Sequence, residues 1–117
     1  MNRPVLPMRP LATVVFAMAG LIAATSASAA DEEAAKELAR QNNCFKCHSV
    51  SKAKDGPAWK DVAVKYKGKA DAQERIYKHL TTGEKAKFAD GHEEDHKIIK
   101  AKDPAEIKNL VDWILSL

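Results

Sequence analysis

Two cysteines stand three positions apart with a histidine directly after the second, in Cys44-Phe45-Lys46-Cys47-His48. Three chemistries use thiols at that spacing. A redox disulfide of the thioredoxin kind expects a strand–helix–strand context, and no strand-like run precedes Cys44. A zinc site needs four ligands, usually in separated pairs, which suits a histidine abutting the second cysteine poorly. Cys-x-x-Cys-His is the attachment signature of c-type haem, in which two thioethers hold the porphyrin edge and the adjacent histidine lies beneath the iron. The pattern predicts one covalently attached haem c on Cys44 and Cys47, with His48 as the proximal ligand.

The elements around this motif have to bury a prosthetic group in a short chain. Among 117 residues, Arg3 and Arg9 precede an apolar stretch from Leu11 to Ala24 that ends in small residues, and no acidic residue occurs before Asp31. That pattern predicts a secretory signal peptide over residues 1–30, cleaved after Ala29 or Ala30, and so export to the periplasm; an uncleaved anchor is the alternative. The apolar stretch falls short of the roughly 20 residues of a spanning helix. Residues 31–117 then form one domain with 17 basic and 16 acidic residues. This near-neutral balance, made slightly negative by two haem propionates, gives no footprint for nucleic acid. A domain this small often leans on a metal or prosthetic group for stability.

No convincing period-two strand pattern appears, so the expected class is all-α. Glu32 to Gln41 reads as a helix with Ala34, Ala35, Leu38 and Ala39 on a narrow apolar stripe, broken by Asn42-Asn43. Ala58 to Tyr66 reads as a short helical piece. Asp71 to Thr81 reads as a helix with Ala72, Ile76 and Leu80 on one face and Gly83 as its stop. Phe88 to Lys102 has no period and reads as loop. The last helix has Asp103 as N-cap, Pro104 at its first position and Glu106 completing a capping box. Ile107, Leu110, Val111, Ile114 and Leu115 recur there at helical spacing. The alanine stripe of the first helix is the expected partner of that face.

Taken together these residues resemble the class I cytochromes c, and more narrowly the small bacterial cytochrome c-551 group. The resemblance covers nearly all of residues 31–117. It is carried by Cys44-x-x-Cys47-His48, by Asp55-Gly56-Pro57-Ala58-Trp59-Lys60-Asp61-Val62-Ala63, by Tyr66 and Gly68, and by Leu110-Val111-Asp112-Trp113-Ile114-Leu115-Ser116. It implies the cytochrome c fold, with terminal helices packed together around one haem whose exposed edge meets redox partner proteins. It implies that the Pro57 carbonyl accepts a hydrogen bond from the proximal histidine and so fixes the ring. It also places His79 at the position of a basic residue that contacts a haem propionate. Trp59 is the aromatic residue expected to touch the macrocycle.

The sequence departs from that family at the distal ligand. There it is a methionine on the loop before the last helix, whereas the methionines here are Met1, Met8 and Met18. Neutral imidazole is a strong ligand for haem iron, and the loop holds His92 and His96. Counting back from Trp113 brings His96 to the ligand position, and counting forward from Gly83 brings His92 there, so the loop carries an insertion. His96 is the expected ligand, since Ile98-Ile99 beside it can bury the loop against the haem. His92 is the alternative, and a lysine, water or an open iron also remain.

The expected function is a non-enzymatic periplasmic carrier of single electrons between redox proteins, with two histidine ligands and a lower potential than its histidine–methionine relatives. Its rivals are a haem protein whose open or labile sixth site binds a small ligand, as sensor or catalyst, and an electron-entry subunit of a larger complex. Lysines 46, 52, 54, 60, 65, 67 and 69 cluster near the attachment motif, either steering an acidic partner or forming a solvated face. The run Glu93-Glu94-Asp95 beside the expected ligand either favours ferric iron or is a solvated loop.

Overall fold

A computed structural model describes Pro4 and residues 29–117. The segment read as a signal peptide therefore lies almost wholly outside the described residues. Four helices are joined by one turn of 3-10 helix and a small hairpin: α1 (Glu32–Gln41), the 3-10 turn (Cys44–Lys46), α2 (Trp59–Tyr66), α3 (Ala72–Thr82), β1 (Lys85–Lys87), β2 (Glu93–Asp95) and α4 (Pro104–Leu115). Among the described residues no helix is long and apolar enough to cross a membrane.

Helix α1 starts where the Asp31 carboxylate accepts the Ala34 N–H at 3.0 Å, and Glu32 and Glu33 complement the dipole of its first turn. Its contact face is Ala35, Leu38, Ala39 and Asn42, the i, i+3, i+4, i+7 set, which leaves Ala34 at the edge and exposed. The small residues let α4 approach closely, and α4 lays Ile107, Leu110, Val111 and Ile114 on them. The expected capping box is formed: the Asp103 carboxylate accepts from the Ala105 N–H, and the Glu106 carboxylate accepts from the Asp103 N–H. A further tie joins the two helices, since the Asn109 amide both accepts the Asp31 N–H and donates to the Asp31 carbonyl, each at 2.8 Å.

Helix α3 buries Ala72, Ile76 and Leu80, and ends at Gly83, whose left-handed φ of 68° closes the helix as a glycine C′ residue does. Helices α2 and α3 both pack on α4, so the core is one cluster running from Ala35 through Trp59, Ile76 and Ile99 to Ile114.

The stretch from Phe88 to Lys102 is not all loop. Residues 85–95 form an antiparallel hairpin in the register Lys85↔Asp95, Ala86↔Glu94 and Lys87↔Glu93. Both strands are largely exposed, and opposite charges face each other across them, with Lys85 and Asp95 paired at 2.6 Å. Charge pairing of this sort leaves no hydrophobic alternation in the sequence. Gly91, at φ 91°, turns the chain back at the tip.

Candidate haem site

The fold encloses a cavity of about 670 Å³ between the Cys44–His48 segment, α2, α3, the hairpin and the strap that follows it. Its apolar wall is Ile76, Leu80, Ile99, Leu110 and Ile114, contributed by three elements. Cys44, Cys47 and His48 line one side, and the two cysteines are not joined to each other as a disulfide. Burial pushes the Cys44 thiol pKa up. A cavity of this size falls in the range of about 300–1,000 Å³ usual for cofactor sites, with apolar walls and a few converging polar groups.

His48 is fixed from three directions. Its Nδ1–H donates to the Pro57 carbonyl at 2.7 Å, which leaves Nε2 without a proton. Trp59, only 4 % exposed, stacks on its ring with centroids 5.6 Å apart, and is itself braced edge-on by Trp113 at 5.5 Å. Gly56 passes so close beneath the imidazole that no side chain fits there. Desolvation lowers the His48 pKa, opposed by the Pro57 hydrogen bond, so the ring is held neutral.

His96 lies across the cavity, its ring centroid 6.2 Å from that of His48. The strap carries it directly out of β2, with its backbone N–H donating to the Glu84 carbonyl at 2.9 Å. Its Nδ1–H donates to the Lys97 carbonyl at 2.9 Å, so Nε2 again carries the lone pair. Burial lowers its pKa as well, with the His79 ring adding to the effect. Two neutral imidazoles with the same tautomer thus face one space. His79, on α3, packs against His96 with centroids 4.4 Å apart, and its Nδ1 lies 3.3 Å from the Glu84 carboxylate.

His92 is elsewhere. It stands exposed at the tip of the hairpin, stacked on Phe88 at 4.3 Å and bonded to Asp90 and, at 3.3 Å, to Glu94. It does not line the cavity. Of the seven lysines near the motif, all exposed, only Lys46 and Lys65 border the cavity; Lys54 instead ties down the Phe45 carbonyl at 2.6 Å, and Lys65 and Lys69 lie over Tyr66. Glu94 and Asp95 border it on the hairpin side. Trp113 packs in the core rather than on the cavity wall. Three contributions carried no signal of their own in the sequence reading: the close approach of Gly56, the Lys97 carbonyl, and Asn42, which read only as a helix breaker.

The profile of the cytochrome c family matches residues 32–117. Cytochrome c-551 of Allochromatium vinosum is 41 % identical over 80 residues, covering 68 % of this chain and 82 % of that protein. Cytochrome c-552 of Nitrosomonas europaea is 36 % identical over 85 residues, covering 73 % and 80 %. Among solved structures, the class 1 cytochrome MtoD from Sideroxydans lithotrophicus ES-1 is 66 % identical, with a TM-score of 0.72 over 75 % of this chain and 97 % of that one. The chain belongs to the cytochrome c family, as a small class I monohaem member. Its cofactor is one covalently attached haem c, to which the Cys44 and Cys47 pair conforms, and its activity is electron transfer.

Proposed function

We propose that this protein is a periplasmic one-electron carrier in which His48 and His96 would hold the haem iron between them. The observation that carries the reading is the 6.2 Å separation of the two rings, each with Nδ1 committed to a backbone carbonyl. Two imidazoles sharing one metal atom through bonds of about 2 Å set their ring centroids about 6 Å apart. When bound, the haem supplies the one-electron couple of its iron.

The chain's own residues do the rest. Cys44 and Cys47 anchor the porphyrin edge, and Pro57 orients His48 while raising its basicity. Trp59 packs on the haem and His79 contacts its edge. Ile76, Leu80, Ile99, Leu110 and Ile114 line the cavity and exclude water, and burial there keeps both imidazoles neutral, as metal ligation would require. Imidazole in place of a thioether gives a lower potential than in histidine–methionine cytochromes c. Electrons pass to and from redox partner proteins, with no small-molecule substrate transformed.

Absorption spectra with and without carbon monoxide test this. The ferric holoprotein is expected to be low-spin without the near-infrared band of methionine-to-iron charge transfer, and the ferrous form to resist carbon monoxide. His96→Ala should open the sixth site to it, and His92→Ala should leave the spectrum unchanged. An unmutated ferrous form that is high-spin and takes carbon monoxide at once would favour the ligand-binding rival instead.

A further inference from the structure

Among the described residues Asn42 is the polar side chain that the fold buries outright, at 3 % exposure. Its amide is fully used. Nδ2 donates to the carbonyls of Leu38 and Lys100, both at 3.0 Å, and Oδ1 accepts the Lys100 N–H at 2.8 Å. The side chain thus pairs with both backbone groups of one residue, as a neighbouring strand would. A helix end needs nothing of that kind, because the Asn42 backbone N–H already bonds the Leu38 carbonyl at 3.1 Å.

Lys100 lies four residues beyond His96, on a strap without regular structure. The other backbone ties of this strap run to the end of α3 and the residue that precedes the hairpin: Ile99 N–H to the Leu80 carbonyl and His96 N–H to the Glu84 carbonyl, each at 2.9 Å. Asn42 alone among these partners comes from the amino-terminal part of the domain, capping α1 two residues before Cys44. It therefore joins the segment that anchors the haem to the segment that faces it from the other side. Unpaired, the Lys100 amide and carbonyl would gain from opening to water.

We propose that Asn42 is a positioning residue for the sixth ligand, its amide holding the 96–100 strap closed so that His96 stays opposite His48. This rests on the reading of His96 as that ligand. Ligand release requires the strap to lift, and the Asn42 clamp has to break first.

The test is the rate at which cyanide binds the ferric holoprotein, with amide hydrogen exchange measured in parallel. Asn42→Ala should speed cyanide binding about tenfold or more, since net loss of one or two part-buried hydrogen bonds is of that order. Exchange at Lys100 and Ile99 should rise while Ala39 and Val111 keep their protection. Asn42→Asp preserves the size and the acceptor but sets a carboxylate oxygen against the Lys100 carbonyl, and should act in the same direction. His96→Ala should bind cyanide fast whatever stands at position 42. If His96→Ala is fast but Asn42→Ala matches the unmutated protein, the positioning role is overturned and the ligand reading stands. If His96→Ala itself changes nothing, the ligand reading fails and takes this one with it. A parallel rise in exchange at all four amides would also overturn it, reducing Asn42 to a part of global stability.

Discussion

The His48 ring lies against the backbone of Gly56 so tightly that a β-carbon there would sit 2.5 Å from Cε1. The same backbone segment presents the Pro57 carbonyl to Nδ1 at 2.7 Å, so one turn both supports the imidazole from below and sets its rotation. Gly56→Ala would force ring or turn to move. Since Gly56 N–H also holds the Cys47 carbonyl at 2.7 Å, the turn has little freedom to yield. Overpacking of this kind costs about 1–3 kcal/mol. Denaturant unfolding of the holoprotein should show that loss, with a shifted ferric spectrum as the ring tilts. An unchanged midpoint would mean that the turn relaxes freely.

Leu110 is 1 % exposed and belongs both to the α1–α4 interface and to the cavity wall. Leu110→Ala therefore removes packing from two surfaces that cannot both collapse inward. The expected loss is about 2–5 kcal/mol, within the range of buried leucine truncations. Unfolding by guanidinium measures it, and a change near zero would contradict the packing of the terminal helices.

Helices α1, α3 and α4 were legible in the sequence because each buries one face, and burial of one face writes a 3.6-residue period into the chain. Asp103 and Glu106 marked the start of α4 for the same local reason. The hairpin was not legible: Lys85–Lys87 and Glu93–Asp95 face solvent, and pairing by charge leaves no apolar alternation. That gap kept His92 open as the alternative to His96, since counting along the chain cannot say where a largely exposed segment folds back. Once the hairpin is formed its tip carries His92 away and its exit delivers His96 to the cavity. Asn42 escaped because its partner lies 58 positions distant, and a helix breaker and a tertiary clamp look alike in one sequence.

Attachment and processing can be read in one measurement. Acid-acetone extraction of the holoprotein should leave the haem on the polypeptide, because thioethers at Cys44 and Cys47 survive it. The mass should equal one haem plus a chain beginning at Ala30 or Asp31. Asp31 caps α1 and is clamped by Asn109, so either start preserves the first helix. Recovery of an unmodified chain with a Cys44–Cys47 disulfide from cells competent in cytochrome c maturation would refute attachment, and an intact amino terminus would refute cleavage.

At the hairpin tip, the Asp90 carboxylate hydrogen-bonds the His92 ring and raises its pKa above the usual 6.5, with Glu94 adding to the effect. A histidine with a raised folded-state pKa binds its proton more tightly folded than unfolded. Its contribution to stability is accordingly full below about pH 6.5 and fades as pH rises through the higher folded value. His92 lies in solvent, where such pairs contribute little, so the titration itself is the better readout. Proton resonances of the His92 ring should titrate above 6.5 in the holoprotein, and Asp90→Asn should bring them back towards it. The spectrum of the haem should stay constant across that titration, because His92 stands outside the cavity. A haem spectrum that follows the His92 titration would assign the iron to His92 and displace His96 from it.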